Sequence, residues 1–266
     1  MHVVPLTPVD LGLAALLVVA LALLSLRMRL NLAGQIVTAA VRTTVQLLLV
    51  GLVLKTLFAH VSLPWISLMA LVMLLAAGRE VMGRQTRRFA GWWGFGVGTV
   101  SMLVSSFAVT LLALTVIINI QPWYAPRYAV PLLGMVLGNT MTGMAVGLDR
   151  LTQAAWSQRA AIEGRLILGE QAATAIATIR RESIRSGLIP IINAMSAAGI
   201  VSLPGMMTGQ ILGGSPPLEA VKYQILIMFL IAAGTGFGTI TAVWLGGRRL
   251  FDERHRLRLD RLRPAR

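Results

Sequence analysis

Residues 9–29 read VDLGLAALLVVALALLSLRMR. The first eighteen of these residues contain one charged side chain, Asp10, and about 20 apolar residues are enough for a helix to cross a bilayer. No Lys or Arg precedes the run, whereas Arg27 and Arg29 follow it. A secretory signal has the opposite charge order. The stretch therefore predicts a retained transmembrane helix whose N-terminus lies outside the cytoplasm.

The composition of the whole chain agrees with this stretch. Of 266 residues, 56% are hydrophobic and 13% are charged, whereas soluble domains carry about 25% charged residues. No block of sequence is long enough for a second, soluble domain. The chain has no cysteine, which excludes disulfides, thiolate metal sites and cysteine nucleophiles. The three histidines (His2, His60 and His255) lie at or beyond the ends of apolar runs, so we expect no buried histidine metal site.

Seven apolar runs are long enough to be membrane spans, which predicts an all-α polytopic bundle. They cover residues 9–26, 36–58, 62–78, 93–119, 129–148, 187–204 and 217–246. We expect a transmembrane domain over residues 1–246 and a basic cytoplasmic tail over residues 247–266.

The basic residues divide between the two sides of these spans. Twenty of the 24 Lys and Arg residues fall in 27–35, 79–92, 149–186 and the tail from 247. The other side receives only Arg127 and Lys222, and the remaining two, Arg42 and Lys55, fall within the second run. The positive-inside rule then places the C-terminus in the cytoplasm. The net charge of +14 is explained by topology, so we expect no nucleic-acid partner.

The predicted cytoplasmic segment 149–186 is rich in helix-forming residues. Apolar residues in IEGRLILGEQAATAIATIRR recur at roughly helical spacing, with charged residues between them. The pattern predicts a cytoplasmic helix that either docks a partner or lies on the inner leaflet. We expect the tail FDERHRLRLDRLRPAR to be solvated or to touch lipid headgroups, without chemistry of its own.

The sequence contains no energy source for transport. None of the ten acidic residues lies deep in an apolar run, whereas ion-coupled carriers usually need a buried carboxylate. The phosphate-binding motif GxxxxGK[ST] is also absent. A secondary carrier is therefore disfavoured, and any uphill transport would take its energy from another polypeptide.

Polar side chains within the apolar runs are candidates for a translocation path. In lipid such groups face other helices or water, and interhelical hydrogen bonding is the alternative for each of them. Arg42 lies near the inner end of its run, where it could also extend to the interface. The candidates are Arg42, Gln46, Asn139, Thr142, Asn193, Ser196 and Gln224.

Glycine is concentrated in two kinds of position. The GxxxG pairs Gly134/Gly138, Gly143/Gly147 and Gly234/Gly238 predict close helix packing, within one chain or across a homodimer. The stretch GIVSLPGMMTGQILGGSPP (199–217) predicts irregular backbone at the outer face, over 204–217, as an outer gate, a re-entrant turn or a plain connector. The gate candidates are Pro204, Gly205, Met206, Met207, Gly209 and Gln210.

Five stretches together resemble a known family. They are RTTVQLLLVGLVL (42–54), PLLGMVLGNTMTG (131–143), IEGRLILGE (162–170), PIINAMSAAGIVSLPGMMTGQILGGSPP (190–217) and YQILIM (223–228). They resemble the FetB-type permeases, which are the membrane subunits of iron-export ABC transporters. Similar sequences occur in plant aluminium-tolerance half-transporter subunits, some of which are linked to UDP-glucose.

The resemblance implies a permease, as a homodimer, that pairs with a separate cytoplasmic ABC ATPase in the cytoplasmic (inner) membrane of a bacterium. ATP and Mg²⁺ would bind the ATPase, and this chain would need no cofactor or metal site of its own. The resemblance assigns ATPase coupling to Glu163, Gly164, Leu168 and Gly169. Glu163 and Gly169 also resemble the EAAxxxG loop of bacterial importers, but Gly164 and Arg165 replace its alanines. Export of iron or a related metal is the implied function; another solute such as a nucleotide sugar, or a non-transporting membrane anchor or sensor, is the alternative.

Overall fold

The computed structural model describes residues 7–59 and 61–264. His2 and His60 lie outside the described residues. Six helices within them are long and apolar enough to cross a membrane. These helices span Pro8–Arg27, Ala33–Ala59, Leu63–Gly83, Trp92–Ile117, Pro126–Ser157 and Pro217–Arg249. The predicted all-α polytopic fold is confirmed, whereas its orientation in the membrane stays a prediction.

The first of two compact units contains α1 (Pro8–Arg27) and α2 (Ala33–Ala59), together with Leu212–Ser215. α1 packs against α2. Thr7 caps α1 because its Oγ1 accepts a hydrogen bond from Asp10 N, while Asp10 Oδ2 accepts one from Thr7 N at 2.8 Å. This reciprocal pair satisfies two amide donors that a helix start would otherwise leave free.

The second unit contains the remaining described elements, Leu63–Ile211 and the chain from Pro216. In order they are α3 (Leu63–Gly83), β1 (Arg87–Phe89), α4 (Trp92–Met102), α5 (Ala108–Leu112), α6 (Pro126–Ser157), α7 (Arg159–Ile167), α8 (Ala172–Ala175), α9 (Ala177–Ala197), α10 (Gly205–Leu212), α11 (Pro217–Arg249) and β2 (Leu262–Pro264). π-helical turns at Leu103–Phe107 and Ala113–Ile117 continue the fourth span on either side of α5. α6 packs against α3, α9 and α11, so it is the central helix of this unit.

The sixth apolar run differs from the helix that contains it. We predicted a span over 187–204, but α9 begins at Ala177 and ends at Ala197. Its first half carries Arg180, Arg181, Glu182 and Arg185, which the search for apolar runs excluded. The helix ends before the predicted boundary because Ala198 is extended and Gly199 has a φ of +86°.

The predicted single helix over the cytoplasmic segment is wrong. α6 extends into this segment as far as Ser157, and α7 and α8 are separated by a turn at residues 168–171. The turn forms at Gly169, whose φ of +90° is incompatible with a right-handed helix. The predicted apolar spacing is preserved in part: Ile162 and Ile176 enter one buried cluster and Leu166 packs against it, whereas Ala173 is exposed.

Two predictions of irregular or solvated structure are also wrong. The outer segment 204–217 contains the two-turn helix α10. The tail from 247 is folded onto the second unit, with Leu250, Phe251, Leu259 and Leu262 buried. β2 pairs antiparallel with β1, with Phe89 opposite Leu262. The apolar residues between the tail's arginines explain this docking, because they gain burial against the helices of the second unit.

Candidate functional site

A set of buried hydroxyl side chains lies inside the second unit; we call it the polar core. Each member is at most 5% exposed, and its Oγ or Oγ1 has no hydrogen-bond partner among the described residues. The members are Ser101, Ser106 and Thr110 on the fourth span, Thr140 on α6, and Thr235 and Thr239 on α11. A buried hydroxyl without a partner costs about 1–3 kcal/mol. These hydroxyls therefore lower the stability of the fold, and nothing offsets this cost unless another state of the protein uses them.

Glycines bring the helices of the polar core close together. A Cβ on Gly238 would lie 2.5 Å from Thr140 Cγ2 and 2.9 Å from Ser105 Oγ. About one turn further along the same face of α6, a Cβ on Gly143 would lie 3.0 Å from Thr239 Oγ1. The Gly143/Gly147 and Gly234/Gly238 pairs thus pack within this one chain, which is one of the two arrangements that their spacing predicted. The other pair, Gly134/Gly138, differs because Gly138 faces open space.

The chemistry available in the polar core is that of neutral oxygen. Hydroxyls can bind water or a cation through their lone pairs, and they carry no charge. Met144, fully buried, places its sulfur 3.3 Å from the position of a Cβ on Gly238. Among the described residues, no three His, Asp or Glu side chains come together as a metal site would require.

The predicted path residues lie in three different environments. Gln224 is buried and its Oε1 has no partner among residues 7–59 and 61–264. Thr142 is half-buried and donates to the Gly138 carbonyl at 3.1 Å. Asn139, Asn193 and Ser196 are exposed. Arg42 and Gln46 are exposed on α2 and belong to the first unit.

The exposed amides of α6 and α9 lie at the same end of the crossing between these two helices. Gly143 faces Gly187, and Gly147 faces the Ser183 carbonyl, so α6 and α9 run antiparallel. Asn139 precedes Gly143 by about 6 Å of helix and Asn193 follows Gly187 by about 9 Å. Both amides therefore lie on the same side of this crossing, toward the predicted outer face. An amide exposed to lipid is unfavourable, which indicates that this face meets water or another protein. We call it the amide face.

Sequence reasoning missed most of the polar core. Thr140 follows the predicted Asn139 by one position, and that step turns a side chain from the exposed surface into the interior. The available signal was the spacing of Thr235 and Thr239 beside Gly234 and Gly238. Small and hydroxyl residues four apart on one helix indicate a close, polar helix contact.

The coupling candidates lie at the turn between α7 and α8. Ile162 anchors α7 in the core, and Glu163 accepts a hydrogen bond from Arg159 at 2.8 Å. At the end of α7, Ile167 and Leu168 are 85% and 84% exposed. Gly169, with its positive φ, lets the chain turn back directly after them. Gly164 faces open space. The turn thus presents two large apolar side chains outside the membrane spans.

The outer-gate candidates lie on or beside α10. Pro204, Met206, Met207 and Gln210 are half-buried, whereas Gly205 and Gly209 are exposed. Met206 packs against an apolar cluster to which the N-terminal halves of α6 and α11 contribute. The Gln210 Oε1 is buried without a partner in the described part of the chain. Just before α10, Ile200 and Val201 are 90% and 83% exposed.

Comparison with known proteins identifies a family. The model of the uncharacterised protein family UPF0014 matches residues 8–251. The chain belongs to the UPF0014 family. A "UPF0014 membrane protein slr1647" of Synechocystis is 39% identical over 254 residues, covering 93% of this chain and 95% of the relative. The "Probable iron export permease protein FetB" of Escherichia coli is 33% identical over 254 residues, covering 96% of each chain. The "Protein ALUMINUM SENSITIVE 3" of Arabidopsis thaliana is 33% identical over 245 residues, covering 92% and 88%.

These matches confirm the predicted resemblance and the multi-pass membrane location; a bacterial cytoplasmic membrane fits them. The UPF0014 region begins at the start of α1 and ends at Phe251, so it contains every candidate membrane helix and excludes most of the folded tail. UPF0014 relatives named as membrane and permease proteins indicate a transporter rather than an enzyme. No solved structure matches the chain.

Proposed function

We propose that this chain is the permease subunit of an ABC transporter that exports iron or a related metal species. Its family membership and the E. coli relative's printed name support the permease and the iron substrate. ATP would be bound and hydrolysed, with Mg²⁺, by a separate cytoplasmic ATPase. Two permease chains and the ATPase would form the complete transporter.

The observation that carries the ATPase partner is the exposed pair Ile167 and Leu168. Two large apolar side chains that are more than four-fifths exposed, on a turn rather than on a membrane span, are typical of a protein-binding site. Buried Ile162 and Ala172 on the flanking helices hold this turn against the core, so a force on the turn is passed to α6 and α9. Glu163, Gly164, Leu168 and Gly169 shape the docking surface.

The test is co-purification of the chain with a candidate ABC ATPase from the same organism, sought first in the neighbouring reading frame. Leu168→Asp places a charge in the docking surface and should reduce ATPase recovery at least tenfold, while leaving membrane insertion unchanged. Val201→Asp is the matched control, since Val201 is equally exposed but on the predicted outer side. Full ATPase recovery with Leu168→Asp would contradict the docking role.

The path is proposed to run along the amide face, between two copies of the chain, and to be continued by the polar core. Asn139, Asn193 and Ser196 would meet the substrate as neutral oxygen or nitrogen groups, and Thr142 and Gln224 would complete the lining of the second unit. Arg42 and Gln46, in the first unit, stay predicted path residues. Pro204, Gly205, Met206, Met207, Gly209 and Gln210 would form the outer gate. With no cysteine in the chain, any metal would be passed through oxygen or thioether ligands or as a chelate.

Cysteine cross-linking tests the dimer directly, because the natural chain has no cysteine. Asn139→Cys should form a disulfide-linked dimer in membranes upon oxidation. Val100→Cys, on the fourth span and 51% exposed, is the control and should stay monomeric. Cross-linking of both variants to the same extent, or of neither, would place the dimer contact elsewhere.

The substrate is tested with the complex of both subunits in proteoliposomes. ATP hydrolysis should be stimulated by Fe²⁺ or Fe³⁺ and accompanied by ATP-dependent iron transport. Stimulation by UDP-glucose without any response to metals would favour a nucleotide sugar. No transport of either class, with stable ATPase binding, would favour a membrane anchor or sensor.

A further inference from the structure

A groove between α3 and α4 combines apolar walls with one cationic side chain. Its volume is about 770 Å³, and its apolar walls come mainly from Val72, Leu75 and Met82 on α3 and from Trp92 and Phe95 on α4. Arg79 is the charged residue of the lining. The groove belongs neither to the polar core nor to the amide face, and the transport mechanism does not use it.

Arg79 is exposed and has no hydrogen bond or ion pair within residues 7–59 and 61–264. Its neighbour in sequence, Glu80, is turned to Arg84, with 3.4 Å between Oε1 and Nε. The groove lining contains no Asp or Glu. A guanidinium in this position is free to form two parallel hydrogen bonds with a phosphate.

The polar and apolar parts of the groove are ordered along the membrane normal. α3 is a membrane span that ends at Gly83, so Arg79 lies about one turn from its end. Val72 lies about 10 Å deeper along the same helix. Trp92 is 85% exposed at the start of the next span and meets the Phe95 ring edge-on, with centroids 6.4 Å apart. Tryptophan at a span end is typical of the headgroup level of a bilayer.

We propose that this groove binds an anionic phospholipid. The phosphate would bind Arg79, the glycerol region would lie against Trp92, and one acyl chain would follow Val72, Leu75 and Phe95 into the membrane. The surrounding charge favours an anionic over a zwitterionic headgroup, because Arg84, Arg87 and Arg88 follow α3 directly in the chain, the last two on β1. The predicted cytoplasmic location of this loop puts the site in the inner leaflet.

The experiment measures thermal unfolding and bound lipid of the purified full chain in detergent. Phosphatidylglycerol should raise the unfolding temperature more than phosphatidylcholine of the same acyl composition, and native mass spectrometry should show it retained. Arg79→Gln should weaken phosphatidylglycerol binding at least tenfold. Arg79→Lys should weaken phosphatidylglycerol binding less, because Lys keeps the positive charge but lacks the two parallel N–H donors of the guanidinium.

Two further variants separate this site from general effects. Arg181→Gln removes an exposed arginine from α9 and should bind phosphatidylglycerol like the parent. Ala76→Phe fills the groove without changing charge and should also weaken binding. Equal stabilisation by both lipids, or unchanged phosphatidylglycerol binding in both Arg79→Gln and Ala76→Phe, would overturn the proposal.

Discussion

Gly143 and Gly187 face each other across the crossing of α6 and α9, so closely that a Cβ on Gly187 would lie 2.6 Å from the Gly143 carbonyl oxygen. The same Cβ would lie 2.6 Å from Thr239 Cγ2 on α11. Three helices of the second unit therefore meet at a point where only hydrogen fits. Thr239 of the polar core belongs to this contact, and Asn139 lies about one helical turn from Gly143 on α6, so the separation of these helices affects the surroundings of both.

The first prediction concerns this contact. Gly187→Ala forces α9 away from α6 and α11, and overpacking of this kind costs about 1–3 kcal/mol. We expect a lower unfolding temperature in detergent. Gly138→Ala is the control, because it meets nothing within 4 Å and should leave the temperature unchanged or raise it. Equal stability of the two variants would contradict the close contact.

The second prediction concerns the hydroxyls of the polar core. Thr140→Val and Thr239→Val remove unpartnered polar atoms while retaining similar shape, so stability should stay within about 1 kcal/mol of the parent or exceed it. Transport in proteoliposomes should fall severalfold if these oxygens contact the substrate or water. Parental transport by both variants would assign the hydroxyls to packing alone.

The third prediction concerns the turn after Leu168. Gly169→Ala places a side chain at a φ of +90°, a strain of about 1–3 kcal/mol. The turn should loosen, which limited proteolysis after Arg165 would detect, and ATPase recovery should fall. Gly164→Ala is the matched control: it lies within α7 in open space and should stabilise that helix by about 0.5–1 kcal/mol. Similar proteolysis of the two variants would exclude a special role for the turn.

The fourth prediction concerns the pH dependence of the folded tail. Asp252 accepts hydrogen bonds from the backbone N–H and the side chain of Arg256, and from Arg254 N. These hydrogen bonds hold the pKa of Asp252 below its usual value. A carboxylate with a depressed folded pKa stabilises the fold above its unfolded pKa, and the contribution is lost as pH falls toward the folded value. A spin label at Arg254→Cys should therefore become more mobile as the pH drops from about 5 to 3.

Asp252→Asn should produce the mobile state already at neutral pH, since the amide cannot accept the same set of charge-assisted hydrogen bonds. Glu253→Gln removes a neighbouring charge that is exposed and should behave like the parent. A label mobility that is independent of both pH and Asp252 would show that apolar burial alone holds the tail.

The membrane helices could be predicted from sequence because each depends on a local property, the length of an apolar run. The run at 9–26 needs no knowledge of its neighbours to be identified as a span. α9 begins ten residues before the predicted run because its first half is charged, and a helix can continue through charged residues. It also continues through Gly187 and Pro190. The helical spacing of the apolar residues predicted a helix through Gly169, although its position between two packed helices requires a positive φ.

The polar core and the folded tail depend on distant parts of the chain. Whether Thr140 or Asn139 points inward is decided by the rotation of α6 against α11, which the spacing within α6 does not contain. β1 and β2 are three residues each, too short for any alternation pattern, and they are separated by most of the chain. The many arginines of the tail made it look solvated in the sequence, although apolar residues lie between them. One of these arginines is structural: Arg261 Nη1 donates hydrogen bonds to the carbonyls of Arg249 and Phe251, at 2.8 and 3.0 Å, and links these parts of the tail.

The pairing of β1 with β2 has a consequence for biogenesis. The ribosome makes β1 early, between the third and fourth spans, but its partner strand at Leu262–Pro264 follows all six candidate spans. The backbone of β1, with Phe89, therefore remains unpaired until the ribosome has synthesised the last span and β2. This short ladder can therefore close only after the last candidate span has been made, and a chain without β2 would expose Phe89 to quality-control proteases.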